Sequence, residues 1–270
     1  MRTVTPLVDD LFLDGKFIKI TRQPKLDFLK FSSASYPFYS LLNQRGCSKT
    51  IKRLALLEPI DVRTYKRLGR FGTVYKGVNG YIYTHYGSNL IDVVDLQFLK
   101  DFIHLSEKVP NSINIKRIDF AFDLFGIDLI ELIKSSVVHS KRQLTIQFLS
   151  YDPITGARIY KGDPRFYENI QTFYAGKVNS STSVCIYKRH KKLNVSGPIS
   201  RIEIRFKGIK ADNVLNEFCL NDTPLEFNRI LSNFFDYYLA FKLPNSSKSN
   251  RLSRYKNMPW WDDILAYLRL

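Results

Sequence analysis

Across 270 residues, 41 Lys and Arg stand against 25 Asp and Glu, a formal charge of +16, which suits a polyanionic partner, nucleic acid first and an anionic membrane second. With 44% hydrophobic and 14% aromatic residues the chain can bury one large core or two small ones, which excludes global disorder. No stretch reaches the roughly 18 apolar residues of a membrane-spanning helix, acidic Asp9 and Asp10 argue against an export signal, and the widely spaced Cys47, Cys185 and Cys219 argue against a disulfide framework or a cysteine zinc site.

In chain order, Gly77 to Tyr86 has turn chemistry at Asn79-Gly80 followed by aromatic and β-branched residues, which predicts a hairpin. Leu90 to Leu105 has the 3.6-residue apolar spacing of an amphipathic helix. Asn114 to Leu124 alternates as a strand, and Leu129 to Val138 reads as a helix. Strands are expected at Ser181–Lys188 and Ile199–Phe206, then a helix from about Leu225 to Leu243. The polar run from Pro244 to Ser253 predicts a mobile linker, and Pro259-Trp260-Trp261 opens a short helix ending at Leu270. Interspersed strands, hairpins and helices give an α+β class: an antiparallel-rich central sheet with helices packed on it.

Two segments carry chemistry by alternation. In Lys116–Asp123, side chains Arg117, Asp119, Ala121 and Asp123 share one face, while Ile118, Phe120, Phe122 and Leu124 share the other. Two carboxylates flanking a small Ala suit a hard divalent cation, Mg2+ or Mn2+; a half-exposed strand with solvated acids fits the same pattern. In Ser200–Lys207, Arg201, Glu203, Arg205 and Lys207 share a face opposite Ile202, Ile204 and Phe206. That reads either as a third metal ligand beside phosphate-binding arginines or as a surface ladder of charge pairs. Between these segments, Tyr187 precedes a cluster of Lys188, Arg189, Lys191 and Lys192. Nearby cations lower a phenol's pKa and hold the phosphate it attacks; a loop that only binds phosphate is the plainer reading.

Leu68–Gly77 is two residues short of a kinase glycine-rich loop and lacks one of its glycines, and no H-R-D loop follows. His85, His104, His139 and His190 form no His-x-His or His-x-x-x-His pair, so any metal must rest mainly on carboxylates.

Taken in order, R-I-D-F-A-F-D (Arg117–Asp123), T-F-Y-A-G-K (Thr172–Lys177), I-Y-K (Ile186–Lys188), R-I-E-I-R (Arg201–Arg205) and the Pro259-Trp260-Trp261 tail resemble the Rep_trans family of rolling-circle replication initiators. The resemblance implies a site-specific, metal-dependent DNA nickase and strand transferase that forms a 5′-phosphotyrosine intermediate. It implies Tyr187 as nucleophile, with Tyr174 the other choice, and Lys188 steadying the developing charge. It also implies Asp119, Asp123 and Glu203 as ligands of Mg2+ or Mn2+. The expected DNA contacts are Arg117, Arg189, Lys191, Lys192, Arg201 and Arg205. The acidic residue that often follows the tyrosine–lysine pair in the family is absent here, where Arg189-His190-Lys191-Lys192 stands.

On this reading, residues 1–110 form an N-terminal strand and helix region, 111–243 the nicking core, and 244–270 the linker and tail. Origin DNA, duplex and single-stranded, is the expected partner, followed by a host helicase. A homodimer is left open, a membrane is not expected, and the bacterial cytoplasm is the expected location. A conjugative relaxase with the same chemistry and a non-catalytic DNA-binding regulator are the alternatives.

Overall fold

A computed structural model describes residues 8–21, 25–33, 65–67, 73–77, 80–86, 113–140, 144–151, 155, 157–161, 169–177, 179–190, 196–220, 224–246 and 251–269. It divides into two compact units. One comprises residues 1–24, 121–204 and 223–270, and the other 25–120 and 205–222. The N-terminal hairpin and the tryptophan-bearing tail belong to the same unit as residues 121–204. The unit boundaries fall inside the strand Ile113–Phe125, after Phe120, and inside the strand Ile199–Lys207, after Ile204.

In the first unit, β1 (Val8–Leu13) and β2 (Lys16–Thr21) form an antiparallel hairpin. Its Asp14-Gly15 turn has positive φ at both residues, the backbone a two-residue hairpin loop requires. This hairpin continues to β7 (Ile113–Phe125), where Lys19 and Ile20 pair with Phe125 and Leu124. The strand order is then β7, β13 (Ile199–Lys207), β12 (Thr182–Lys188), β11 (Ile170–Ala175), β9 (Ile146–Tyr151) and β10 (Arg158–Lys161). The β12–β11, β11–β9 and β9–β10 pairs are all antiparallel. Helices α1 (Leu129–Lys134), α3 (Pro224–Tyr238) and α4 (Pro259–Arg269) also belong to this unit.

The apolar face of this sheet is the core. Phe122, Leu124, Phe148, Phe173, Val184, Ile186, Ile202 and Ile204 are all buried. Phe122 meets Phe235 of α3, and Phe173 meets Phe241, whose ring lies 4.9 Å from both Trp260 and Trp261. Pro259 opens α4, where its missing N–H costs nothing.

The second unit contains the Ile113–Phe120 half of β7, followed in strand order by β3 (Lys25–Ser33), β6 (Gly80–Tyr86), β5 (Thr73–Gly77) and β4 (Tyr65–Arg67). The predicted hairpin is present, with Gly77 paired to Gly80. Helix α2 (Ile209–Leu220) follows β13.

Two predicted helices are too long. The first stops at Lys134, and the Ser135 and Ser136 hydroxyls donate to the Leu132 and Ile133 carbonyls, closing its last turn. The second stops at Tyr238. The β-branched pair Val137-Val138 enters β8 (Val137–Ser140), and Leu239–Lys242 forms β14 as its antiparallel partner. Strand pairing overrode helical periodicity at both ends. The expected 244–253 linker is anchored at its margins: Leu243 N–H donates to the Lys256 carbonyl at 2.8 Å, and Lys256 N–H to Ser246 Oγ at 2.9 Å. The helix predicted over 90–105 lies outside the described residues. Among them, no helix is long and apolar enough to cross a membrane.

Candidate active site

Strand register determines which side chains meet. Tyr187 of β12 stands opposite Thr172 of β11, and Cys185 opposite Tyr174. Directly opposed residues share a sheet face, so both candidate tyrosines project to the same side, away from the core face of Phe173 and Ile186. Both are half-buried. The Tyr187 hydroxyl donates to Glu203 Oε1 of β13 at 2.6 Å. Glu203 is 3% exposed, so this bond forms largely out of water.

Arg201 lies one same-face step from Glu203. Its Nε donates to Asp123 Oδ1 at 2.7 Å and its Nη2 to Asp123 Oδ2 at 2.9 Å, a bidentate fork. Arg189, just beyond β12, also donates to Asp123 Oδ2. Asp123 and Arg201 are buried, which rules out the half-exposed strand with solvated acids for this stretch of β7. In this unit Asp123, Arg189, Arg201, Glu203 and Tyr187 therefore form one polar cluster.

Lys188 is not brought to the phenol. Period-two alternation puts it on the face opposite Tyr187. Its ammonium meets Asp128 Oδ2 at 2.7 Å and Glu131 Oε1 at 3.1 Å, at the start of α1. Burial lowers the Lys188 pKa, but Asp128 and then Glu131 outweigh it and hold the value above 10.5. The expected role of steadying charge at Tyr187 thus gives way to tethering α1, and the alternation that separates the two residues was already legible in I-Y-K.

The second unit holds the other residues. Arg117 grips Asp119 through Nε, at 2.8 Å to Oδ1, and through Nη2 to Oδ2. Arg205 Nε pairs with Asp119 Oδ2 at 3.7 Å. Lys207 is pushed below its usual pKa by burial and by the charges of Arg117 and Arg205, against the pull of Asp119. Lys191 and Lys192 lie outside the described residues.

Of the three carboxylates expected to hold Mg2+ or Mn2+, Asp123 and Glu203 belong to one unit and Asp119 to the other. Among the described residues, no group of three or more His, Cys, Asp or Glu side chains could hold a metal ion. Asp119 and Asp123 are also engaged by guanidinium groups on both oxygens, and Glu203 by the phenol.

The glycine of T-F-Y-A-G-K has a structural explanation. Gly176 takes φ of +106°, and an added Cβ would come within 2.9 Å of both Ser183 Cβ and the Thr182 carbonyl.

Residues 113–268 match the model of the replication initiation factor family, Rep_trans. The chain belongs to the replication initiation factor family. The match extends from the start of β7 into α4 and so takes in every residue of the polar cluster. The fold of this family member is similar to that of the rolling circle replication initiator protein from Geobacillus stearothermophilus. The TM-score is 0.61 at 16% identity, over 92% of this chain and 96% of that one. No curated protein matches the sequence.

Proposed function

We propose that this replication initiation factor starts rolling-circle replication by cutting one DNA strand with Tyr187 and remaining joined to the 5′ phosphate. The observation that carries the reading is the 2.6 Å hydrogen bond from Tyr187 to buried Glu203, on the sheet face that also presents Arg189 and Arg201. A phenol is a weak nucleophile until its proton has an acceptor. Glu203 takes that proton as the Tyr187 oxygen forms its bond to phosphorus. The bond from phosphorus to the 3′ oxygen breaks, and that oxygen picks up a proton from solvent as the 3′ hydroxyl. Guanidinium donors stabilise the charge gathering on the phosphoryl oxygens.

Phosphate exchange without hydrolysis keeps the bond energy, so the 3′ hydroxyl can later reverse the step and close the strand. Rolling-circle initiators are generally metal-dependent, and Mg2+ or Mn2+ is the ion the family likeness implies. Asp119 and Asp123 are each held by arginines and Glu203 by the phenol, which is not the surrounding of an open metal ligand.

The test uses a supercoiled plasmid carrying the protein's own origin. The wild-type chain should nick it and leave a covalent protein–DNA adduct, and Tyr187→Phe should abolish both while leaving duplex binding nearly intact. If Tyr174→Phe abolishes the adduct and Tyr187→Phe does not, the nucleophile is Tyr174. If neither change matters, the protein is a DNA-binding regulator and not a nickase.

A further inference from the structure

Asp123 has surroundings unlike those of a metal ligand. A carboxylate offers about four lone-pair sites, and Arg201 Nε, Arg201 Nη2 and Arg189 Nη1 donate to three of them. A divalent cation placed there would face two guanidinium charges at close range in a site shielded from water.

The three side chains come from different places in the unit: Asp123 from β7, Arg201 from β13 and Arg189 from just past β12. Their offsets from the phenol–carboxylate pair are short. Arg189 follows Tyr187 by two residues, and Arg201 precedes Glu203 by two on the same strand face. Arg201 is only 4% exposed in its side chain and Arg189 only 11%. The bidentate fork holds the Arg201 guanidinium in the plane of the Asp123 carboxylate. Among the described residues Arg189 meets Asp123 through Nη1, and the planar fork of a guanidinium matches the oxygens of a phosphodiester in a way that a lysine point charge does not.

We infer that Asp123 is a positioning residue that holds Arg189, backed by Arg201, against the phosphodiester attacked by Tyr187, so that Arg189 touches the reacting phosphate. The inference rests on the nicking reading, and it assigns to Arg189 the charge-steadying role that the family resemblance implied for Lys188.

The experiment measures single-turnover adduct formation across a Mn2+ titration, together with the salt dependence of single-stranded DNA binding. The full-length proteins are wild type, Asp123→Asn, Arg189→Ala, Arg189→Lys and Asp123→Asn/Arg189→Ala. Asp123→Asn and Arg189→Ala should each slow adduct formation by about 100-fold or more, with Arg189→Lys between them and wild type. The double variant should be no slower than the slower single one, because both remove the same contact. The Mn2+ concentration at half-maximal rate should stay within about twofold of wild type, and Arg189→Ala should reduce the slope of log affinity against log salt by about 0.7.

A tenfold or greater rise in the Mn2+ requirement of Asp123→Asn, with the two changes additive, would overturn the inference and restore Asp123 as a metal ligand. If Asp123→Asn does not fold, the Arg189 variants decide alone, and wild-type rates in Arg189→Ala overturn it. A wild-type chain that forms no adduct defeats the nicking reading instead. The salt slope of Arg189→Ala then still tests the phosphate contact, and an unchanged slope defeats the inference by itself.

Discussion

Gly176 shows how one position can carry a motif without touching chemistry. Its φ of +106° disfavours any side chain, and the space where a Cβ would go is occupied by the Thr182 carbonyl and Ser183. Its N–H also donates to the Thr145 carbonyl at 2.8 Å, fixing the corner where β11 turns towards β12. Gly176→Ala should therefore destabilise the protein by about 2–4 kcal/mol, read as a shifted midpoint in urea denaturation. Wild-type stability would mean that this corner relaxes freely. Other residue identities were legible in advance because alternation alone assigns faces: Asp123, Arg201 and Glu203 share one in the structure as the sequence predicts. Their partners were not legible, since which strand lies beside which is a matter of long-range pairing. The bond from Tyr187 to Glu203 crosses between consecutive strands over 16 residues, and the fork from Arg201 to Asp123 between strands 78 residues apart.

At the level of elements, α1 shows how a short helix is fixed in place. Six residues cannot hold a helix in isolation, but Leu129 N–H donates to Ser200 Oγ at 2.9 Å, and Asp128 caps Ile130 N–H at 3.1 Å. Lys188 adds an electrostatic clamp. Burial raises the Glu131 pKa, but the hydrogen bonds and charges of Lys134 and Lys188 outweigh it and hold the value below 4.5. A lowered carboxylate gives stability that is present above 4.5 and lost as pH falls through its folded value. The raised Lys188 gives stability that is present below 10.5 and lost as pH rises through its own. Lys188→Met should accordingly lower stability by about 1 kcal/mol between those limits, a modest figure because Glu131 is half exposed to solvent. Thermal melts across pH check this: the gap between wild type and variant should be flat near neutrality and close in strong acid. The helix ends were read too far, at Val138 and Leu243, because β8 and β14 exist only as each other's partners and local periodicity carries no trace of a remote strand.

Over the whole molecule, the +16 charge makes DNA affinity a function of salt before any base is read. Each phosphate contact contributes about 0.9 to the slope of log affinity against log salt on duplex DNA. Replacing Lys191 and Lys192 together with Ala should flatten that slope by about 1.8 if both meet phosphates, measured by fluorescence anisotropy over a salt series. An unchanged slope would turn that cluster away from the duplex. The α+β class was readable because strand and helix periods alternate along the chain. The division into units was not, because β7 and β13 each contribute to both units and nothing in their composition changes at Phe120 or Ile204.

The tie between Asp9 and Tyr267 also sets a timetable. The Tyr267 hydroxyl donates to Asp9 Oδ2 at 2.6 Å, and α4 packs on β1, so a hairpin made early is covered by a helix made much later. Tyr187, Glu203 and the arginines all leave the ribosome before α4. At synthesis rates of about 5–20 residues per second, the roughly 80 residues from Tyr187 to Tyr267 take about 4–16 s to add. During that interval the sheet lacks Trp260 and Trp261 beneath Phe241, and its polar face has no finished core to hold it rigid. A nascent chain stalled in that window would carry Tyr187, Glu203 and the arginines in an unfinished frame, so the polar cluster gains its full support only once α4 is in place.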